Sequence, residues 1–239
     1  MEKLLYSFLN TRSYFEVYLL TTSYFLFLYL VIGQLFLWVC NQLAKKGLLV
    51  KIYDRQDLLK NRNLEIKNSL VSIFLFGLSG VAFVYIIRNN IARLIPDSPL
   101  NILIGLLVLN IFNEVHFYII HRLLHIPLLY RRIHYVHHRS KVPTIYSVFS
   151  FHWLEALLLS TVPIVIAPFV SFSLIAVILY PLTSIIINFI GHCNYRFPDG
   201  NCLNKLSLGT KHAKHHYLNR GNFGFALPIF DFLFPHNKK

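Results

Sequence analysis

Uninterrupted apolar runs divide the chain. No Asp, Glu, Lys or Arg occurs in Val17–Ala44, Asn68–Ile87, Ser98–Asn113 or Ala156–Tyr195. A helix needs about 20 mostly apolar residues to cross a bilayer. The first two runs each fit one crossing, the third reaches that length by continuing past Glu114, and the last, 40 residues long, holds two. Apolar length and Pro/Gly punctuation place spans near 14–39, 69–87, 100–120, 153–170 and 171–190, with Pro99 suited to a first helical turn and a turn near Pro168–Ser173 joining the last two. The segments 121–150, with Arg122, Arg131, Arg132, Arg139 and Lys141, and 192–239, with Lys205, Lys211, Lys214 and Arg220, are too charged for hydrocarbon. The pattern therefore predicts an all-α polytopic membrane protein. A single membrane domain covers 1–239, with four to five transmembrane helices and a helical cap from 121–150 and 192–239. The first apolar run is too long for the core of a cleavable signal peptide and reads as a span.

Composition agrees. Hydrophobic residues make up 55% and charged residues 14%, with a mean hydropathy of +0.52; soluble domains sit near 45–50% and about 25%. A water-soluble globule and a disordered chain are both excluded. The net charge of +13 follows from topology rather than nucleic acid, because cytoplasmic loops collect Lys and Arg. Lys45, Lys46, Lys51, Arg55, Lys60, Arg62 and Lys67 outnumber Asp54, Asp57 and Glu65 in one connector, which places it in the cytoplasm and the N-terminus outside. Crossing parity then puts 121–150 and the C-terminal segment on the same cytoplasmic face, of a bacterial inner membrane or of the endoplasmic reticulum. Cys40, Cys193 and Cys202 show no CxxC pairing, so neither a disulfide framework nor a thiolate metal site is expected.

The candidate chemistry lies in the histidines. Eight of the twelve form three clusters: His121-x-x-x-His125, His134-x-x-His137-His138 and His212-x-x-His215-His216. Residues three and four apart share a helix face, so each cluster projects imidazoles to one side. Composition alone would yield an HxxHH pattern about 0.03 times in such a chain, and it occurs twice. Imidazole suits Zn, Fe, Cu and Ni. Eight histidines, or nine with His192, exceed the needs of one ion, and two ions with four to five nitrogens each fit the count. Isolated His116, His152 and His236 read as ordinary hydrogen-bonded residues. Glu114, Glu155, Asp199 and Asp231 are the carboxylates near the clusters, available to orient the imidazoles.

The run Tyr118-x-x-His121-Arg122-x-x-His125, followed by Leu129-Tyr130-x-x-His134-x-x-His137-His138, resembles the first two histidine boxes of the fatty acid hydroxylase/sterol desaturase superfamily. The run His212-x-x-His215-His216, then Asn222-Phe223-Gly224 and Phe230-Asp231-x-Leu233-Phe234, is similar to its third box and its tail. The resemblance covers about Glu114 to Phe234. It departs from the family at His152-Trp153-Leu154-Glu155, which lacks the proline of the HPxE element, and at His192-Cys193-Asn194-Tyr195-Arg196, where Arg196 stands in place of a second histidine and cannot ligate a metal.

The resemblance implies an integral-membrane di-iron enzyme that uses O2 to hydroxylate or desaturate a membrane lipid such as a fatty acyl chain or sterol. Its expected ligands are His121, His125, His134, His137, His138, His192, His212, His215 and His216, with Asp231, Glu155 and Asn222 supporting them. Two Fe ions are the expected cofactors, zinc being accepted by the same ligands in purified protein. A heme domain does not fit beside the spans, so a separate electron-transfer protein is the expected partner. The alternative is a non-enzymatic metal transporter or sensor. It requires ionisable residues within the spans, which are nearly free of them except Glu114 and His116 at one inner end.

Overall fold

The computed structural model describes residues 2–54, 61–200, 209–226 and 229–235; Cys202, Lys205 and His236 lie outside the described residues. Among the described residues the helices are α1 (Glu2–Thr11), α2 (Tyr14–Lys45, with a π turn at Leu28–Ile32), α3 (Arg62–Arg88), α4 (Pro99–Leu124), α5 (127–138, with a π turn at Tyr130–His134), α6 (Trp153–Leu159), α7 (Val162–Ile166), α8 (Leu174–His192), α9 (Thr210–Leu218) and α10 (Ile229–Leu233). Four of them, α2, α3, α4 and α8, are long and apolar enough to cross a membrane. Large apolar side chains such as Phe15, Phe74, Ile111 and Phe169 are exposed on the outside of the bundle, the arrangement that hydrocarbon rather than water favours.

Local chemistry sets the helix ends. Ser13 Oγ accepts from the Glu16 backbone while the Glu16 carboxylate accepts from Ser13, a reciprocal cap that starts α2. Ser98 caps α4 with Pro99 in its first turn, as the sequence predicts. Where α2 meets α3 the backbones approach closely: a Cβ on Gly80 would lie 2.1 Å from Thr21 Oγ1, and one on Gly77 2.2 Å from Thr22 Oγ1. Small residues permit such contact in hydrocarbon, where packing must replace the hydrophobic drive between helices.

The stretch 153–170, expected as one continuous span, is instead two short helices, α6 and α7. Ser160 and Thr161 turn their hydroxyls back onto the carbonyls of Leu157 and Leu158, and Pro163 brings no N–H to continue the helix. This broken segment still runs from one end of the bundle to the other. Glu155 contacts the histidines, whereas β3 (Phe172–Ser173) pairs in parallel with β2 (Leu94–Ile95) at the opposite end, beside the start of α4. Five passages result, four helical and one broken. At the histidine end, β1 (Val50–Lys51) pairs antiparallel with β4 (Tyr195–Arg196).

The loop 139–150 is stapled to α2 and to the start of α3. Buried Glu65 accepts from Ser140 Oγ at 2.6 Å and Thr144 Oγ1 at 2.8 Å, and the Tyr146 carbonyl accepts from both Tyr29 and Ser69. Gly80→Val should force α2 and α3 apart and cost about 1–3 kcal/mol, the usual range for overpacking. Thermal unfolding in detergent reads this as a lowered midpoint; a variant as stable as the parent would mean that α2 and α3 do not meet at Gly80.

Candidate metal centre

Two elements deliver the first histidines. His121 occupies the last turn of α4 and His125 ends it, one turn on, so both face the same side. Pro127 restarts the helix as α5, whose π turn and final α turn carry His134, His137 and His138 inward. His192 is the last residue of α8. The third cluster rides on α9, which begins at Gly209 with φ +78; a Cβ there would lie 2.3 Å from the Ile190 carbonyl. Only glycine allows that approach, so Gly209 seats α9 and His212 against the end of α8.

All nine expected ligands come together. Nitrogens of His121, His125, His134, His138 and His215 lie within 4.8 Å of one another, and those of His137, His192, His212 and His216 form a second such group. This is close to the span of ligands sharing one cation at metal–nitrogen distances of about 2.1 Å. His152 stays outside, capping α6 through Nδ1, and His116 bonds Thr161 at 3.0 Å.

Outer groups fix the ring orientations. Nδ1–H of His121 donates to the Phe223 carbonyl at 2.8 Å, that of His134 to Glu155 at 2.8 Å, that of His192 to the Asn188 carbonyl at 3.0 Å and that of His216 to the Ser140 carbonyl at 3.0 Å. His215 donates likewise to Gly221. An imidazole whose proton sits on Nδ1 offers only a lone pair at Nε2. The Nε2 atoms converge: that of His215 lies 3.1 Å from Nε2 of both His125 and His138, and the same distance separates those of His134 and His138 and those of His212 and His216. Buried Nε2 of His121 and His192 has no polar partner among the described residues. Convergent imidazole nitrogens, five of them on rings whose proton is taken up at Nδ1, fit a bound cation.

Burial keeps the imidazoles neutral, as ligands must be. His138 is pushed down to about 3, mainly by burial, and His134, His137, His212, His215 and His216 are held well below the usual imidazole range by burial and then by one another.

Two carboxylates brace the loop that follows α9. Asp231 accepts from the backbone of Phe223 and Gly224 at 2.8 and 2.9 Å, so it supports the carbonyl that His121 uses. Asn222 acts through its backbone: Gly221 and Asn222 adopt φ of +63 and +53 in the turn that brings the Gly221 carbonyl onto His215 and the Phe223 carbonyl onto His121. Glu114, in α4, accepts from Phe225 and Ala226 at 2.9 and 2.8 Å; its position near the clusters was the sequence's one signal for it. The Ser140 and Gly221 carbonyls carry no sequence signal at all. Asp199 pairs with Arg196 at the surface and takes no part.

Below the histidines a cavity of about 450 Å³ lies among α2, α3, α4, α6, α7 and α8. Its inner end is walled by Phe117, 4.9 Å from the His121 ring, Phe151, 4.8 Å from His137, and Asn188.

Residues 106–235 match the fatty acid hydroxylase family. The chain is 32% identical to mouse lathosterol oxidase over 165 residues, 67% of this chain and 52% of that protein. It is 30% identical to the fatty acid hydroxylase ahd1 of Mycosarcoma maydis over 133 residues, covering 55% and 33%, and 34% identical to human fatty acid hydroxylase domain-containing protein 2 over 98 residues, covering 40% and 29%. The aligned part thus spans about half of the first relative and a third or less of the others. No solved structure matches the chain.

Two outcomes test the centre. Folded protein loaded during expression should contain two metal ions per chain by elemental analysis, and a value of one or none without loss in purification would contradict the two groups. The metal-free protein should lose stability as the pH falls from 7 to 5. Below about 6.5 the unfolded chain takes up protons that the buried imidazoles refuse, which costs up to ~1.4 kcal/mol per pH unit for each one. A melting temperature flat across that range would mean that the imidazoles are not held neutral.

Proposed function

This chain belongs to the fatty acid hydroxylase family, and on that premise we propose that it is an O2-dependent di-iron oxidoreductase that hydroxylates or desaturates a membrane lipid. The observation that carries the reading is the juxtaposition of nine inward-facing imidazoles with a lipid-sized apolar cavity. When bound, a pair of iron ions supplies reductive activation of O2 and attack on an unactivated C–H bond.

The chain's own residues do the rest. Glu155 and the carbonyls of Phe223, Asn188, Gly221 and Ser140 hold the rings at fixed tautomers, Asp231 and Glu114 hold the loop over them, and Phe117 and Phe151 present the reacting segment of the lipid to the centre while excluding water. Fixing the carbon within reach converts a bimolecular encounter into a positioned one.

The transporter alternative is less well supported. It calls for ligating groups distributed along the spans, whereas the nine histidines gather at one end of the bundle. That end also carries Lys45, Lys46, Lys51, Lys141, Lys214 and Arg220, and we assign it to the cytoplasm by the positive-inside rule. Electrons then come from a separate donor protein at that face.

Replacing any of His134, His137, His138, His212, His215 or His216 with Ala should abolish oxygen-dependent conversion of lipid by the iron-loaded, reductant-supplied protein, with membrane insertion intact because the spans form independently of them. Asp231→Asn should lose about 10–100-fold, as outer groups do, and His116→Ala should keep most activity. Full turnover in the six alanine variants would falsify the oxygenase reading. For sidedness, a cysteine label at exposed Lys214 should report the cytoplasm and one at exposed Asn90 the opposite face; the reverse result overturns the assignment.

A further inference from the structure

The far end of the cavity is floored by apolar side chains. Leu9, Val17, Val84 and Leu174 pack together as a separate buried cluster, and all four line the cavity. Leu9 comes from α1, which lies outside the membrane spans and is tied down from two sides: Arg88 donates to the carbonyls of Leu9 and Arg12, and the Tyr6 hydroxyl donates to the Ile95 carbonyl at 3.0 Å. Along α8 the cavity reaches from Asn188, which holds His192, to Leu174 on the floor. Fourteen residues of helix separate them, about 20 Å at 1.5 Å per residue. The cavity also reaches the bundle's side between α2 and α8, where Leu20 and Ile178 are exposed and the Tyr24 hydroxyl donates to the Ile178 carbonyl at 2.9 Å.

We propose that this floor is a ruler: the lipid enters tail first, its hydrocarbon terminus stops against Leu9, Val17, Val84 and Leu174, and the distance from floor to histidines selects the carbon that is oxidised. The inference rests on the oxygenase reading and names the part of the substrate that the cavity takes. The direction of insertion follows from the floor's chemistry. None of its four residues is polar, so a carboxylate, phosphate or sterol hydroxyl buried there would lose its hydration without a partner, at a cost of several kcal/mol. A saturated terminus loses nothing. The polar end of the lipid therefore stays on the histidine side of the cavity, nearer the interface. An acyl chain and a sterol side chain share this terminal chemistry.

The test reads bound lipid as well as product. Val84→Phe raises the floor, and Arg88→Ala releases α1 without adding bulk. Purified parent and variants are incubated with saturated acyl chains graded in two-carbon steps and, separately, with sterols of full and truncated side chain; bound species are quantified by mass spectrometry, and products are mapped for the oxidised carbon. Val84→Phe should shift the preferred length to shorter chains by at least one step, with affinity for the longest chains falling tenfold or more, and Arg88→Ala should broaden acceptance toward longer ones. The arm that responds, acyl or sterol, identifies the source. An unchanged length preference in both variants overturns the ruler, as does retention of no graded lipid by the parent. Shifted binding without any oxygen-dependent product would keep the floor as the stop that selects chain length and overturn the oxygenase reading instead.

Discussion

Nine imidazoles confined to two small volumes impose the constraint on which the rest depends. Neutral imidazoles bring at most one proton each to share, and here several Nε2 pairs stand 3.1 Å apart in a buried setting. The arrangement suits a ligand cage. The outer features of the centre hold those nitrogens inward: Glu155 on His134, carbonyls on His121, His192, His215 and His216, and a positive-φ turn that aims two of those carbonyls.

The cage is in turn anchored to the bundle. Buried Glu65 holds Ser140 through its hydroxyl, and the Ser140 carbonyl holds His216, so a carboxylate at the start of α3 is linked by two hydrogen bonds to the second nitrogen group. Glu114 ties the loop after α9 to α4, two turns before His121. Because spans α4 and α8 end in histidines, the same helices that wall the cavity also position the centre. The cavity and the histidine centre are therefore set by one frame, so on the proposed reading a lipid in the cavity is positioned with respect to the histidines.

Much of this was legible in the sequence, for physical reasons. Charge-free runs of bilayer length marked four helices because hydrocarbon tolerates few alternatives, and three- and four-residue spacing marked eight of the nine histidines that come together because helices repeat that way. The break at 160–163 was harder: its apolar length matched a span, while the interruption came from Pro163 together with hydroxyls bonding back to Leu157 and Leu158, a local competition that length cannot register. Glu65 looked like one charge in a solvated connector, yet α3 begins early enough to bury it. The carbonyl acceptors of Ser140, Asn188, Gly221 and Phe223 were beyond reach, since a backbone oxygen is present at every residue and only the fold selects which ones matter.

The central claim is that these nine histidines, and no thiolate, make two nitrogen-rich metal sites. X-ray absorption at the iron edge of the iron-loaded protein measures it most directly. The account predicts first shells dominated by imidazole nitrogen, four to five per iron as the two groups provide, with no sulfur contribution despite Cys193 beside His192. A shell containing sulfur, or one dominated by carboxylate oxygen with few imidazoles, would contradict it.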